Sequence, residues 1–167
     1  MPLEDNRPYR PGVGLMIFNQ KGEVFIGERF GQSGAWQMPQ GGIDDEDGTS
    51  LNVTIYRELY EETGIDKSRV EILKITDDWL YYDLPEHLSN KIWDAQYKGQ
   101  KQKWAALLFN GHDAEVNLAT HRHQEFQDWQ WSPVERALEL IVPFKRHTYE
   151  AALKEFSGII EQIRKEA

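Results

Sequence analysis

Two periodicities divide the chain. A nearly unbroken apolar run over residues 13–18 suits a buried strand, and residues 23–29 alternate well enough for a second. The turn Asn19-Gln20-Lys21-Gly22 joins them as a hairpin. Residues 36–40 make a short strand that stops at Pro39, which has no N–H to give a central ladder. Residues 70–82 read as one or two strands and 115–118 as a short one. Residues 104–109 read as a central strand, and 125–131, alternating aromatic and polar, as an outer one. The helical period governs the rest. Leu51, Ile55, Glu58 and Glu62 share one stripe, which predicts a helix from Thr49 or Ser50 to Thr63, with Gly64 as its left-handed C′ residue. Ser132-Pro133 opens another helix, through about residue 140. A long C-terminal helix over 144–166 carries Tyr149, Leu153, Phe156, Ile160 and Ile163 on its apolar face. Residues 1–9 are expected to form a flexible arm, and 83–97 a long excursion of the kind compact domains keep for function. Neither repeats nor linker composition interrupt the pattern, so residues 1–167 are read as a single domain.

Composition narrows the classes of function. With 167 residues, 40% of them apolar, the chain is long enough to close a real core. It has no cysteine, which excludes disulfides and thiolate metal sites and fits a reducing compartment. No basic–apolar leader opens the chain and no run approaches a membrane span, so the expected place is the cytoplasm. The net charge of −9 argues against broad electrostatic binding of nucleic acid, but permits a local cationic grip on one phosphate chain.

The candidate chemistry sits on the stripe. Its first two members are core residues and its last two are carboxylates, with Glu61 beside them. Like charges at these spacings repel by about 0.2–0.5 kcal/mol per pair even when exposed, and more when buried. A hard divalent cation such as Mg²⁺ would relieve that repulsion; the plain alternative is a solvated acidic face. The acidic loop before the helix is not a calcium loop, because its first and twelfth positions would be Ile43 and Thr54. Gly41-Gly42 lets backbone approach a ligand closely. Arg10 and Arg29 stand near strand ends where phosphates could be met, and Lys145 with Arg146 falls in a helix's first turn, a poor place for a cation unless it holds an anion. Lys101 and Lys103 share one sheet face. His121-Arg122-His123 reads as a polar loop rather than a zinc site, for want of spaced partners.

The run from Gly41 to Ile65 resembles the Nudix box, Gly-x5-Glu-x7-Arg-Glu-U-x-Glu-Glu-x-Gly-U, where U is a bulky aliphatic residue. Arg57, Glu58, Leu59, Glu61, Glu62, Gly64 and Ile65 match it without exception. The first half departs: Gly41 precedes Arg57 by sixteen positions where the family has fourteen. The box glutamate that braces the loop against the arginine therefore has three contenders, Asp47, Glu46 and Thr49. Tyr9-Arg10-Pro11-x-Val13-Gly14, Trp36-Gln37-Met38-Pro39-Gln40-Gly41-Gly42, Gly99-Gln100-Lys101-Gln102-Lys103-Trp104, Glu125-Phe126-x-x-Trp129-x-Trp131 and Phe144-Lys145-Arg146 extend the likeness to the branch of bacterial RNA pyrophosphohydrolases and dinucleoside polyphosphate hydrolases.

The resemblance implies an α/β Nudix fold, an αβα sandwich around a mixed sheet with the box helix under the active site. It implies hydrolysis of a nucleoside-linked phosphoanhydride with Mg²⁺, or with Mn²⁺ or another divalent ion in its place. Glu58, Glu61, Glu62 and Glu125 would hold metal, joined by a main-chain carbonyl of Gln40 or Gly41, and Arg57 would orient the box glutamates. Glu58 or Glu125 would take a proton from water. Arg10, Arg29, Gln100, Lys103 and Lys145 would meet phosphates or the nucleotide, and Tyr82 or Phe144 would lie against a base. The substrate is then 5′-triphosphorylated RNA or a dinucleoside polyphosphate; a catalytically silent nucleotide-binding module is the reading from another class. No protein partner is indicated.

Overall fold

In the computed structural model of the protein, residues 4–167 are described; residues 1–3 of the expected arm lie outside them. Among the described residues of that stretch, Arg7 and Tyr9 are held. β1 (Tyr9–Phe18) already includes Tyr9, and the Arg7 guanidinium donates to Asp5 and to the carbonyls of Ser89 and Ala95, 3.0 and 3.1 Å away.

The hairpin forms as its turn predicts, with β1 antiparallel to β2 (Val24–Arg29) and Phe18 opposite Val24. The strand expected over 36–40 divides into β3 (Trp36–Gln37) and β4 (Gln40–Gly42). Pro39 is the cause. It offers no N–H, its carbonyl accepts from Leu15, and the Met38 N–H donates to the Tyr149 hydroxyl at 3.0 Å instead of to a strand. β3 pairs with β2, whereas β4 turns onto β1 with Gly41 opposite Val13.

Helix α1 (Leu51–Thr63) runs from Ser50 to Gly64, whose φ of 73° is the left-handed closure expected of it. The region 70–82 resolves into β5 (Val70–Ile75) and β6 (Leu80–Asp83), and the excursion contains one short helix, α2 (Glu86–Ser89). β7 (Gly99–Phe109) takes in the Gln-Lys stretch as well as the apolar run; it lies parallel to β1 and antiparallel to β5 and β6. The short strand expected over 115–118 does not form. A 3₁₀ turn occupies Asp113–Glu115, and the Asn117 N–H closes the end of α1 by donating to the Thr63 carbonyl at 2.8 Å. Its backbone is committed to the helix end, so no sheet pairing follows.

β8 (Phe126–Ser132) pairs with β2 and is followed by α3 (Val134–Leu140). The single long C-terminal helix is two, α4 (Pro143–Glu155) and α5 (Ser157–Glu166), joined at Phe156. Ser157-Gly158 follows the joint, and both are poorer helix formers than the residues around them. The predicted apolar face nonetheless holds, since Tyr149, Leu153, Phe156, Ile160 and Ile163 are all buried.

One mixed sheet results, in the order β3-β2-β1-β7-β5, with β4, β6 and β8 paired alongside. Val13, Leu15 and Ile17 of β1 pack with Ile55 and Leu59 of α1; Met16 and Phe18 pack on the opposite face with α3, α4 and α5. Both faces of β1 are covered, which is why its sequence is a run rather than an alternation.

Candidate functional site

The site begins with Arg57. Its Nε and Nη2 donate to the two oxygens of Asp47, each at 2.8 Å, and Nη2 also reaches the Gly42 carbonyl at 2.9 Å. Nη1 donates to Glu58 at 2.8 Å and to Glu61 at 3.2 Å. Asp47 is almost wholly buried, its second oxygen also accepts from the Thr54 hydroxyl, and the Arg57 guanidinium holds its carboxyl well below the usual carboxylate range. The braced loop therefore fixes both the arginine and the rotamer of Glu58. β4 supplies the wall opposite: a Cβ on Gly41 would land on the Glu58 carboxylate, so only glycine admits that close approach.

The carboxylates beyond Arg57 are costly. Burial pushes Glu58 up to about 7, against the pull of Arg57. Glu62 is raised well above its ordinary value, first by burial and then by repulsion from Glu58 and Glu125. Among the described residues, Glu62 Oε2 is buried with no hydrogen-bond partner. Glu58, Glu62 and Glu125 all line one cleft of about 720 Å³, with Gln40 and Gly41. Glu61 stands beside it, half-buried, 3.8 Å from His121 Nε2.

Cations line the same cleft. Arg10, Arg29 and Lys145 face into it, and among the described residues neither arginine makes an ion pair despite three glutamates in the same cavity. The Arg10 guanidinium lies against Gly42 and beneath the Trp93 indole, 4.9 Å from its centroid. Lys145 is buried, donates to Gln37 Oε1 at 3.3 Å, and has its pKa lowered to about 8 by burial and by repulsion from Arg29. Tyr82 and Phe144 line the same cleft with ring centroids 5.8 Å apart, and Gln100 accepts from Gln102 at 2.8 Å. Arg146, expected beside Lys145, is exposed and does not line it.

Lys103 corrects the sequence reading. Its ammonium donates to the Asp77 carbonyl and lies over Trp79 together with Lys101, outside the cleft. Strand alternation is the reason: Gln100 and Gln102 take the cleft-side parity, and the odd positions take the other. The sequence reading missed Gln37, Trp93 and the apolar rim of Leu84, Leu88 and Ile92. The unusual length of the excursion pointed to the last four without singling out any residue.

The sequence profile of the NUDIX domain matches residues 8–152. The chain belongs to the Nudix family. An RNA pyrophosphohydrolase of Roseobacter denitrificans is 48% identical over 90% of this chain and 93% of its own, and one of Novosphingobium aromaticivorans is 46% identical over 92% and 95%. Among solved structures, an Ap4A hydrolase of C. elegans in a binary complex superposes with a TM-score of 0.64 at 20% identity, covering 89% of this chain and 98% of its own. The dihydroneopterin triphosphate pyrophosphohydrolase of E. coli gives 0.63 at 16%, covering 87% and 97%; at such identities the likeness concerns the fold.

In Nudix terms, the two extra residues fall between the brace and the arginine. Asp47, which keeps the spacing from Gly41, holds Arg57, while Glu46 and Thr49 do not. Nudix hydrolases generally require a divalent cation, and the donor set fits one: hard carboxylate oxygens, two raised pKa values and an orphaned buried Oε2. Among the described residues no three acidic or histidine side chains already converge on one point, because Arg57 draws Glu58 and Glu61 to itself.

Proposed function

We propose that this Nudix hydrolase removes pyrophosphate from the 5′-triphosphate end of RNA, with Mg²⁺ as the preferred cation. One observation carries the reading: a single cleft holds under-neutralised carboxylates together with a buried ammonium and two guanidiniums that make no ion pair among the described residues. A polyphosphate with its cation would satisfy both halves at once. The choice of RNA is supported by the names of the relatives, RNA pyrophosphohydrolases that match nearly end to end.

In the reaction, water's oxygen bonds to phosphorus, the α–β anhydride link breaks, and 5′-monophosphate RNA and pyrophosphate leave. Glu58, Glu61, Glu62 and Glu125 would hold the cation, aided by backbone at Gln40–Gly41. When bound, it lowers the pKa of water and neutralises charge growing on the phosphoryl oxygens. Glu58, held in place by Arg57, takes the proton, and Glu125 is the next candidate. Arg10, Arg29 and Lys145, in the same cleft, bind the phosphate chain and offset the charge of the departing pyrophosphate. Arg57 and Asp47 keep Glu58 aimed and do not touch substrate. Phe144, partly exposed in the cleft with Tyr82 buried behind it, lies against the terminal base, and Gln100, fixed by Gln102, borders the nucleotide.

The net charge of −9 favours a second reading, hydrolysis of a small dinucleoside polyphosphate, because a long RNA meets more repulsion. A silent binding module fits less well, since Glu58, Glu61 and Glu62 are all present. Initial rates of phosphoanhydride cleavage on triphosphorylated RNA and on diadenosine tetraphosphate, at equal Mg²⁺, decide among the three. Faster turnover of the RNA is expected; preference for the dinucleotide, or no turnover of either, overturns the proposal.

A further inference from the structure

A chain of buried amides ends at the cleft. Gln100, Gln102 and Trp104 share one face of β7, and all three side chains are buried. The Trp104 indole donates through Nε1 to Gln102 Oε1 at 3.2 Å. Gln102 Nε2 in turn donates to Gln100 Oε1 at 2.8 Å and to Gln40 Oε1 at 3.3 Å. Gln40 and Gln100 line the cleft, whereas Gln102 and Trp104 do not.

The far end of the chain sets its direction. An indole nitrogen only donates, so the Gln102 oxygen must face it and the Gln102 nitrogen must face the other two amides. Trp104 cannot swing away. It is fully buried, meets Tyr149 edge to face with centroids 4.9 Å apart, and fills the space that a Cβ on Gly14 would need. A glutamine whose oxygen is turned inward to Gln102 turns its N–H pair the other way. Among the described residues Gln100 Nε2 finds no acceptor, and Gln100 stands beside Arg10 in the β1–β7 ladder, so a donor is left next to a guanidinium. An unanchored amide would offer oxygen or nitrogen alike and would have to be ordered at each binding event. We infer that Gln102, held by Trp104, is a positioning residue that fixes the polarity of Gln100, so that Gln100 donates to a phosphate oxygen of the substrate beside Arg10. The inference rests on the polyphosphate reading above and is the same for RNA and for a dinucleotide.

The test inverts the amide. In Gln102→Glu a carboxylate meets the indole N–H and the amide N–H groups of its neighbours, donors that keep it ionised, and it turns the Gln100 oxygen toward the cleft. KM for triphosphorylated RNA should rise about tenfold in Gln100→Leu, for one lost hydrogen bond to a charged group. It should rise further in Gln102→Glu, because a misdirected oxygen is worse than none. The double variant Gln102→Glu/Gln100→Leu should recover most of that extra loss. A double variant as impaired as Gln102→Glu, or more so, overturns the inference, since a general effect of the new carboxylate would persist without Gln100. Binding is read separately by adding pyrophosphate, without metal, to the ¹⁵N-labelled protein. The side-chain amide resonances of Gln100, identified by their loss in Gln100→Leu, should shift in wild type and shift less in Gln102→Leu. Resonances that stay in place, or that move equally in Gln102→Leu, overturn the inference even if Gln102→Glu does not fold. A wild type inert on both RNA and diadenosine tetraphosphate removes the parent reading instead, while the pyrophosphate titration still judges the amide.

Discussion

At the scale of single residues, the site is an arrangement of charges held where water would not leave them. Asp47 is the clearest case. Its carboxyl is depressed by Arg57, so the pair contributes stability that is fully present above the ordinary carboxylate pKa of about 3.9 and is lost as pH falls toward the depressed value. Denaturant unfolding should therefore show Asp47→Asn less stable than wild type by about 1–3 kcal/mol at neutral pH, with the gap closing below about pH 4. Lys145 carries the opposite sign. Its ammonium is a burden on the fold below about 8, relieved as pH rises toward the usual lysine value, while polyphosphate binding needs that charge. Substrate KM should therefore climb above pH 8, and Lys145→Arg should flatten the climb. Glu58, Glu61 and Glu62 were legible in the sequence because two carboxylates on a half-apolar stripe, with a third beside them, call for a counter-charge. Asp47 was only one of three contenders, since an insertion shifts spacing without saying where the chain absorbs it.

The elements explain why those residues meet. α1 carries the carboxylates, and β4 brings the Gly41 backbone against Glu58 because Pro39 ends β3 and releases the chain onto β1. Gly41→Ala should thus lower kcat by at least about tenfold through displacement of the base by an ångström or so. Thermal unfolding should fall far less, since the fully buried core residues lie elsewhere; loss of the fold in step with activity would contradict this. Strong periodicities were readable: the hairpin, α1 with its Gly64 stop, and the apolar face of the last helices. What stayed hidden depends on long-range partners. Residues 115–118 have strand composition, yet their backbone closes α1, and the joint at Phe156 leaves the apolar period intact on both sides. Lys103 shows the same limit, because parity tells which residues share a face but not which face borders a cleft.

The whole molecule is acidic by nine charges, yet its cleft gathers Arg10, Arg29 and Lys145, so charge local to the cavity matters more than the overall sum. The excursion over 83–97 adds to this by placing Trp93 over Arg10 and lining the cleft with Leu84, Leu88 and Ile92. Three consecutive residues there, Trp93, Asp94 and Ala95, have φ of 51°, 54° and 57°, an unfavourable conformation for each. Its sequence announced a functional segment without revealing the fold that makes it one. The central claim, that this chain splits pyrophosphate from the end of RNA using its box glutamates, is tested most directly with RNA labelled at the γ-phosphate. With Mg²⁺ present, the label should leave as pyrophosphate, RNA with a 5′-monophosphate should remain, and Glu58→Gln or Glu62→Gln should cut the rate by about a hundredfold or more while circular dichroism is unchanged. Release of the label as orthophosphate, or undiminished release by both variants, would contradict the account.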